Sequence, residues 1–116
     1  NYGHTFAHAL EGASGYRIPH GRAVAIGMIF AGELACRLGF FSPKAQERQV
    51  RLISRRGFPL RSGFSSARLL PFMKRDKKVR NGRLRFVLPA RIGRVQIVDD
   101  VPEKLVRNVL EKYRSG

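Results

Sequence analysis

The 116-residue chain predicts a mainly α domain carrying one small β-hairpin. Three observations predict that class. Apolar residues recur at three- and four-residue spacing in five separate segments. Only two short runs, "GRLRFVLP" and "GRVQIVDD", have a β-like composition, and they stand next to each other. Apolar residues make up 43% of the chain beside 27% charged ones, the balance of a sequence that buries a core. The length suits a single small domain or a piece of something larger.

The elements follow in order. From Gly3 to about Ala13, Phe6, Ala9, Leu10 and Ala13 define one helical face, and Gly12 and Gly15 punctuate its end. "SGYRIPHG" is a loop stiffened by Pro19. From about Arg22 to Leu38 the chain is apolar almost all round, which marks a central core helix. Glu33 and Arg37 interrupt it at the i,i+4 spacing of a surface ion pair. "GFFSPK" ends that helix, with Ser42 as N-cap and Pro43 as first residue of a third helix reaching about Arg56, its Val50, Leu52 and Ile53 facing inward. "SSARLLPFMKRD" reads as a short helix with Pro71 inside it. The two β-like runs, joined by "PARIG", make the hairpin. In the closing "VPEKLVRNVLEKYRSG", Asp100 is the candidate N-cap, and Leu105, Val106, Val109 and Leu110 form the apolar face.

Composition excludes several function classes. The lone Cys36 has no partner for a disulfide within the chain, which favours a reducing compartment and a packing role. The longest apolar stretch, from Ala23 to Phe41, contains Glu33, Arg37 and three glycines, and reads as a buried helix instead of a membrane span. The net charge of +15 raises nucleic-acid binding. Its distribution argues otherwise: residues 1–40 hold three basic and two acidic side chains, and residues 41–116 hold twenty and six. The excess lies away from the histidines and follows no helix-turn-helix, zinc-finger or RNP-type pattern, so a general basic surface is the simpler account.

All three histidines, His4, His8 and His20, fall in the first twenty residues. His4 and His8 are four apart on a helix, which puts their Cβ atoms about 6 Å apart on one face. His20 follows a loop able to return onto that face. Imidazole is the commonest metal ligand, but a catalytic divalent site needs about three protein ligands. Glu11, seven residues from His4, lies about two turns up the axis, too far for a shared ion. The ligand set is therefore incomplete within the chain. Two histidines at this spacing also arise by chance.

The motifs carry a resemblance. "NYGHTFAHALE" resembles the Asn-x-Gly-His-Thr-x-x-His-Ala-x-Glu stretch of 3-dehydroquinate synthases, and "HGRAVAIGM" resembles their His-Gly-Glu-Ala-Val-Ala-Ile-Gly-Met. "MKRDKKVRNGRLRFVLPARIG" resembles their Asp-Lys-Lys segment and the hairpin after it. The three motifs stand in family order, and the likeness runs from Asn1 to the last helix. It matches the mainly helical C-terminal domain of those enzymes, whose N-terminal α/β domain binds NAD.

The resemblance implies that residues 1–116 form that C-terminal, metal- and substrate-binding domain. It implies metal ligation (Zn2+ or Co2+) by His4 and His20, with a glutamate of the absent N-terminal domain as third ligand. His8 matches the histidine that contacts the substrate and assists proton transfer. Asn1 matches an active-site asparagine, and Lys77 and Lys78 match the lysine segment that binds the anionic substrate. The implied reaction is that of a lyase of the shikimate pathway, on the route to aromatic amino acids: 3-deoxy-D-arabino-heptulosonate 7-phosphate becomes 3-dehydroquinate plus phosphate, with NAD regenerated in each turnover. A cytoplasmic, homodimeric full-length enzyme follows from the same likeness, with neither membrane nor nucleic acid as partner. The chain alone is expected to bind NAD weakly and to be inactive, and its start inside the first motif is expected to be a fragment boundary.

Two positions depart from the pattern. Arg22 stands where the family has Glu, placing a cation beside a metal ligand, which opposes metal binding unless it points away or pairs with an acid. Ala7 replaces a glycine. Two other readings compete: another sugar phosphate cyclase or a metal-dependent polyol or alcohol dehydrogenase, and a basic nucleic-acid-binding module. The Asp76-Lys77-Lys78 segment favours the synthase over the first, and the charge distribution argues against the second.

Overall fold

The computed structural model describes residues 2–57, 60–77, 84–91 and 94–115, with the side chains of Asp76, Lys77 and Arg91 outside that description. Among the described residues the order is α1 (His4–Ala13), α2 (His20–Arg37), α3 (Pro43–Ser54), α4 (Ser66–Lys77), β1 (Leu84–Arg91), β2 (Arg94–Val101) and α5 (Glu103–Lys112). The mainly α class with one antiparallel hairpin is the one the sequence predicts.

Helix α2 is the central element, with Ala23, Ile26, Phe30, Ala31, Leu34 and Ala35 buried. Helix α1 lies against it through Phe6, Ala9, Leu10 and Ala13. A column of rings ties four elements together: Phe6 of α1 sits 5.3 Å from Phe30 of α2 and 5.2 Å from Phe86 of β1, and Phe30 sits 6.0 Å from Tyr113, which follows α5. The backbones of α1 and α2 also come close. A Cβ added at Gly27 would stand 2.5 Å from the Gly3 carbonyl oxygen and 3.1 Å from the Ala7 nitrogen, so only glycine permits this crossing.

Several local expectations change. Helix α2 begins at His20 and not at Arg22, because Pro19, at φ −59° and ψ 141°, serves as N-cap and its carbonyl accepts the Ala23 N–H at 3.0 Å. Ser42 does cap α3, accepting the Ala45 N–H at 3.1 Å, and α3 ends at Ser54. Leu52 is not inward: it is 52% exposed, since the next residue, Ile53, takes the buried position about 100° around the helix. Gln46 and Gln49 join α3 to α2 instead, donating to the Ile29 and Met28 carbonyls, each at 3.0 Å. Pro71 is accommodated in α4, where it and Ala67, one turn earlier, both face solvent.

Ala90 and Arg91 belong to β1, with Pro89, and not to the connection, which at residues 92 and 93 lies outside the described residues. A register shift falls between Pro89 and Arg91, the kind of place where a strand tolerates proline. Asp100 is not a helix cap. It remains in β2, whose last residue, Val101, pairs with Leu84, and Pro102 is the N-cap of α5. Val106, Val109 and Leu110 are buried as expected, with Leu105 half-buried.

The predicted Glu33–Arg37 pair forms at 3.0 Å, but Glu33 is a buried carboxylate and not a surface one. It also accepts from Lys112 Nζ at 3.1 Å and from the Tyr113 hydroxyl at 3.1 Å, which anchors the end of α5 on α2. Burial pushes the Glu33 pKa up, but the three donors outweigh it and hold the carboxyl below its usual 4.5. Burial raises the Tyr113 pKa to about 12. Cys36 is free and half-buried, and burial first, then the Glu33 charge, raises its pKa.

Two measurements check this packing. Gly27→Ala is expected to cost about 1–3 kcal/mol in denaturant unfolding, because the added methyl meets backbone that has to move. Removing the Glu33 charge is expected to alter pH dependence. A depressed carboxyl contributes stability above its unfolded pKa, about 4.5, and loses it as pH falls through the lower folded value. Glu33→Gln should therefore cost about 1–3 kcal/mol at pH 7 and flatten the stability decline between about pH 5 and 3.

Candidate metal and substrate site

Helix α1 turns Phe6, Ala7, Ala9 and Leu10 into the core and leaves His4 and His8 exposed on its other side. Their rings stack with centroids 5.6 Å apart and planes 22° apart, as the i,i+4 spacing predicts. Glu11, at i+7 from His4, continues the stripe. The segment leading into α1 is tethered by Tyr2, whose half-buried hydroxyl donates to Gln49 Oε1, and burial raises the Tyr2 pKa.

The turn after α1 brings His20 back. Gly15 and Tyr16 take left-handed conformations at φ 65° and 64°, which reverse the chain within two residues. The Tyr16 N–H donates to the Glu11 carbonyl at 2.8 Å, and the Ser14 hydroxyl donates to the same carbonyl at 3.1 Å. His20 then opens α2 with its Nδ1 2.8 Å from Glu11 Oε2. Sequence reasoning set Glu11 aside as too distant from His4. The i,i+4,i+7 pattern with His4 and His8 was the available signal, but the reach to His20 depends on the turn.

Three predicted site residues fall outside what is described. Asn1 and Lys78 lie outside the described residues, and Lys77 is the last residue of α4 with its side chain undescribed. Arg22 is half-buried, and its Nε is buried with no hydrogen-bond partner among the described residues. An apolar cleft of about 510 Å³ runs between α2 and α3 from Gly21 past Met28 and Gln49 to Arg56. Neither His4 nor His8 lines it.

Among the described residues no three His, Cys, Asp or Glu side chains come together to hold a metal ion. The donors present nevertheless fit part of such a site. His4 and His20 are exposed imidazoles, and the carboxylate on His20 Nδ1 leaves Nε2 free to coordinate. Two nitrogen ligands plus one from elsewhere is the composition of a catalytic zinc or cobalt centre. Among the described residues no helix is long and apolar enough to cross a membrane.

The family model described as "3-dehydroquinate synthase C-terminal" matches residues 1–79. The chain belongs to this 3-dehydroquinate synthase C-terminal family. It is 46% identical over 114 residues to the 3-dehydroquinate synthase of Nostoc punctiforme, covering 96% of this chain and 31% of that protein. It is 48% identical over 118 residues to that of Gloeobacter violaceus, covering 99% and 33%. The chain thus spans about a third of the length of the curated relatives it matches. Among solved structures, 2-deoxy-scyllo-inosose synthase complexed with carbaglucose-6-phosphate, NAD+ and Co2+ superposes with a TM-score of 0.82 at 24% identity, over 97% of this chain and 32% of that one. That likeness establishes the fold this family member shares with a sugar phosphate cyclase.

Proposed function

We propose that this chain is the metal- and substrate-binding part of a 3-dehydroquinate synthase, acting on 3-deoxy-D-arabino-heptulosonate 7-phosphate to release phosphate and form 3-dehydroquinate. The observation that carries the reading is the exposed His4–His8 stripe with His20 folded back onto its helix, in a chain 46–48% identical to named synthases. In this reading His4 and His20 hold a divalent cation, zinc or cobalt, with a glutamate from the rest of the enzyme as third ligand. Asn1, Lys77 and Lys78 take the polar and anionic groups of the substrate, for which lysine ammonium groups are suited counter-charges. His8, one helical turn from His4, moves the proton lost next to the oxidised carbon as the carbon–oxygen bond to phosphate breaks. When bound, the cation favours ionisation of the hydroxyl to be oxidised, and NAD accepts a hydride and later returns it.

The part of the relatives outside the match supplies, in this reading, the α/β domain that binds NAD and the contacts of a homodimer. The half-buried free thiol of Cys36 accords with a cytoplasmic setting. The complex of 2-deoxy-scyllo-inosose synthase with NAD+ and Co2+ supports a divalent metal and NAD.

Joining the chain to the remaining two thirds of the Gloeobacter violaceus relative tests the assignment. Phosphate release from the heptulosonate phosphate is expected, with none from glucose 6-phosphate or sedoheptulose 7-phosphate; the reverse selectivity would make this a different cyclase. The unjoined chain is expected to show no turnover. In the joined protein His8→Ala should lower kcat by about 10²–10⁴-fold with the metal retained. Arg22 makes no ion pair among the described residues, so its charge opposes the cation unrelieved. Arg22→Glu is expected to tighten Co2+ binding by about tenfold in calorimetric titration.

A further inference from the structure

We infer that Glu11 is the positioning residue for His20: its carboxylate, carried on α1, holds the imidazole at the start of α2 in one orientation and one tautomer. The inference rests on the reading of His20 as a metal ligand, although the first part of its test does not.

The two residues differ in how firmly they are held. The Glu11 side chain is 15% exposed, and its own carbonyl is engaged by the Tyr16 N–H and the Ser14 hydroxyl. Its carboxylate thus projects from a pinned backbone. The His20 side chain is 68% exposed, and the bond to Glu11 Oε2 at 2.8 Å is its polar contact among the described residues. Without that bond nothing shown fixes the ring. A carboxylate accepts and does not donate, so Nδ1 carries the hydrogen and the lone pair of a neutral ring sits on Nε2. Nε2 faces away from Glu11 and is the atom left to coordinate. A carboxylate behind a ligating histidine orients the ring and raises its basicity.

Glu11 shares the α1 stripe with His4 and His8, so the bond ties His20, at the start of α2, to the helix that carries them. The competing account is an ordinary surface ion pair that steadies the turn, worth at most about 1 kcal/mol and indifferent to which nitrogen bears the proton.

Nitrogen NMR separates the two. The full chain is labelled with 15N-histidine and examined at pH 8 by long-range 1H–15N correlation, together with Glu11→Ala and Glu11→Gln. His20 is expected as the Nδ1–H form in the unsubstituted chain, as a mixture of both tautomers in Glu11→Ala, and as mostly Nδ1–H in Glu11→Gln, whose amide oxygen still accepts. An Nε2–H ring in the unsubstituted chain, or a pattern untouched by Glu11→Ala, overturns the proposal. Should Glu11→Ala lose the fold by circular dichroism, the unsubstituted spectrum and the glutamine variant still decide. Co2+ titration of the joined protein, followed by visible absorption, then reads the consequence, with an expected loss of about 10–100-fold in affinity for Glu11→Ala and a smaller loss for Glu11→Gln. A joined protein, carrying the remaining two thirds of the Gloeobacter violaceus relative, that binds no Co2+ at all defeats the ligand reading of His4 and His20, while the tautomer result stands apart from it.

Discussion

The arrangement depends on how closely α1 approaches α2. Gly27 lets the Gly3 carbonyl and the Ala7 amide lie directly against the middle of α2, at a distance no side chain would permit. Once the two backbones are that close, rotation of α1 is decided by Phe6, which enters the core between Phe30 and Phe86. His4 and His8 are then turned outward as a matter of helical geometry. The exposed imidazoles and the buried aromatic column are two sides of one constraint.

The rest of the fold secures α2. Glu33 is a buried negative charge in a largely apolar helix, tolerable because Arg37, Lys112 and Tyr113 all donate to it. The cost of burying the carboxylate is offset by tying α5 to the element that carries His20. Gln46 and Gln49 do the same for α3 through α2 carbonyls, and Gln49 also receives the Tyr2 hydroxyl just ahead of His4. Glu33, Gln46 and Gln49 are thus polar joints between helices.

At the site the charge pattern is divided. Glu11 neutralises and orients one side of His20, while Arg22, two residues on, is a cation with its Nε buried and no partner among the described residues. The chain reversal at Gly15 and Tyr16 precedes His20, whose imidazole meets Glu11. Nothing in the described residues explains why an arginine stands there.

Periodicity by itself determined the helices, the hairpin and the shared face of His4 and His8. These are properties of a segment's own geometry, and a helix or strand repeats its side-chain directions whatever surrounds it. Only the tertiary structure decided that Glu33 is buried, that Leu52 faces solvent while Ile53 does not, that Asp100 stays in a strand, and that Glu11 meets His20. Each of these depends on where a second element lies. That placement follows from two left-handed residues in a turn, a register shift at Pro89 and one glycine at a helix crossing, features that leave no periodic trace in the sequence.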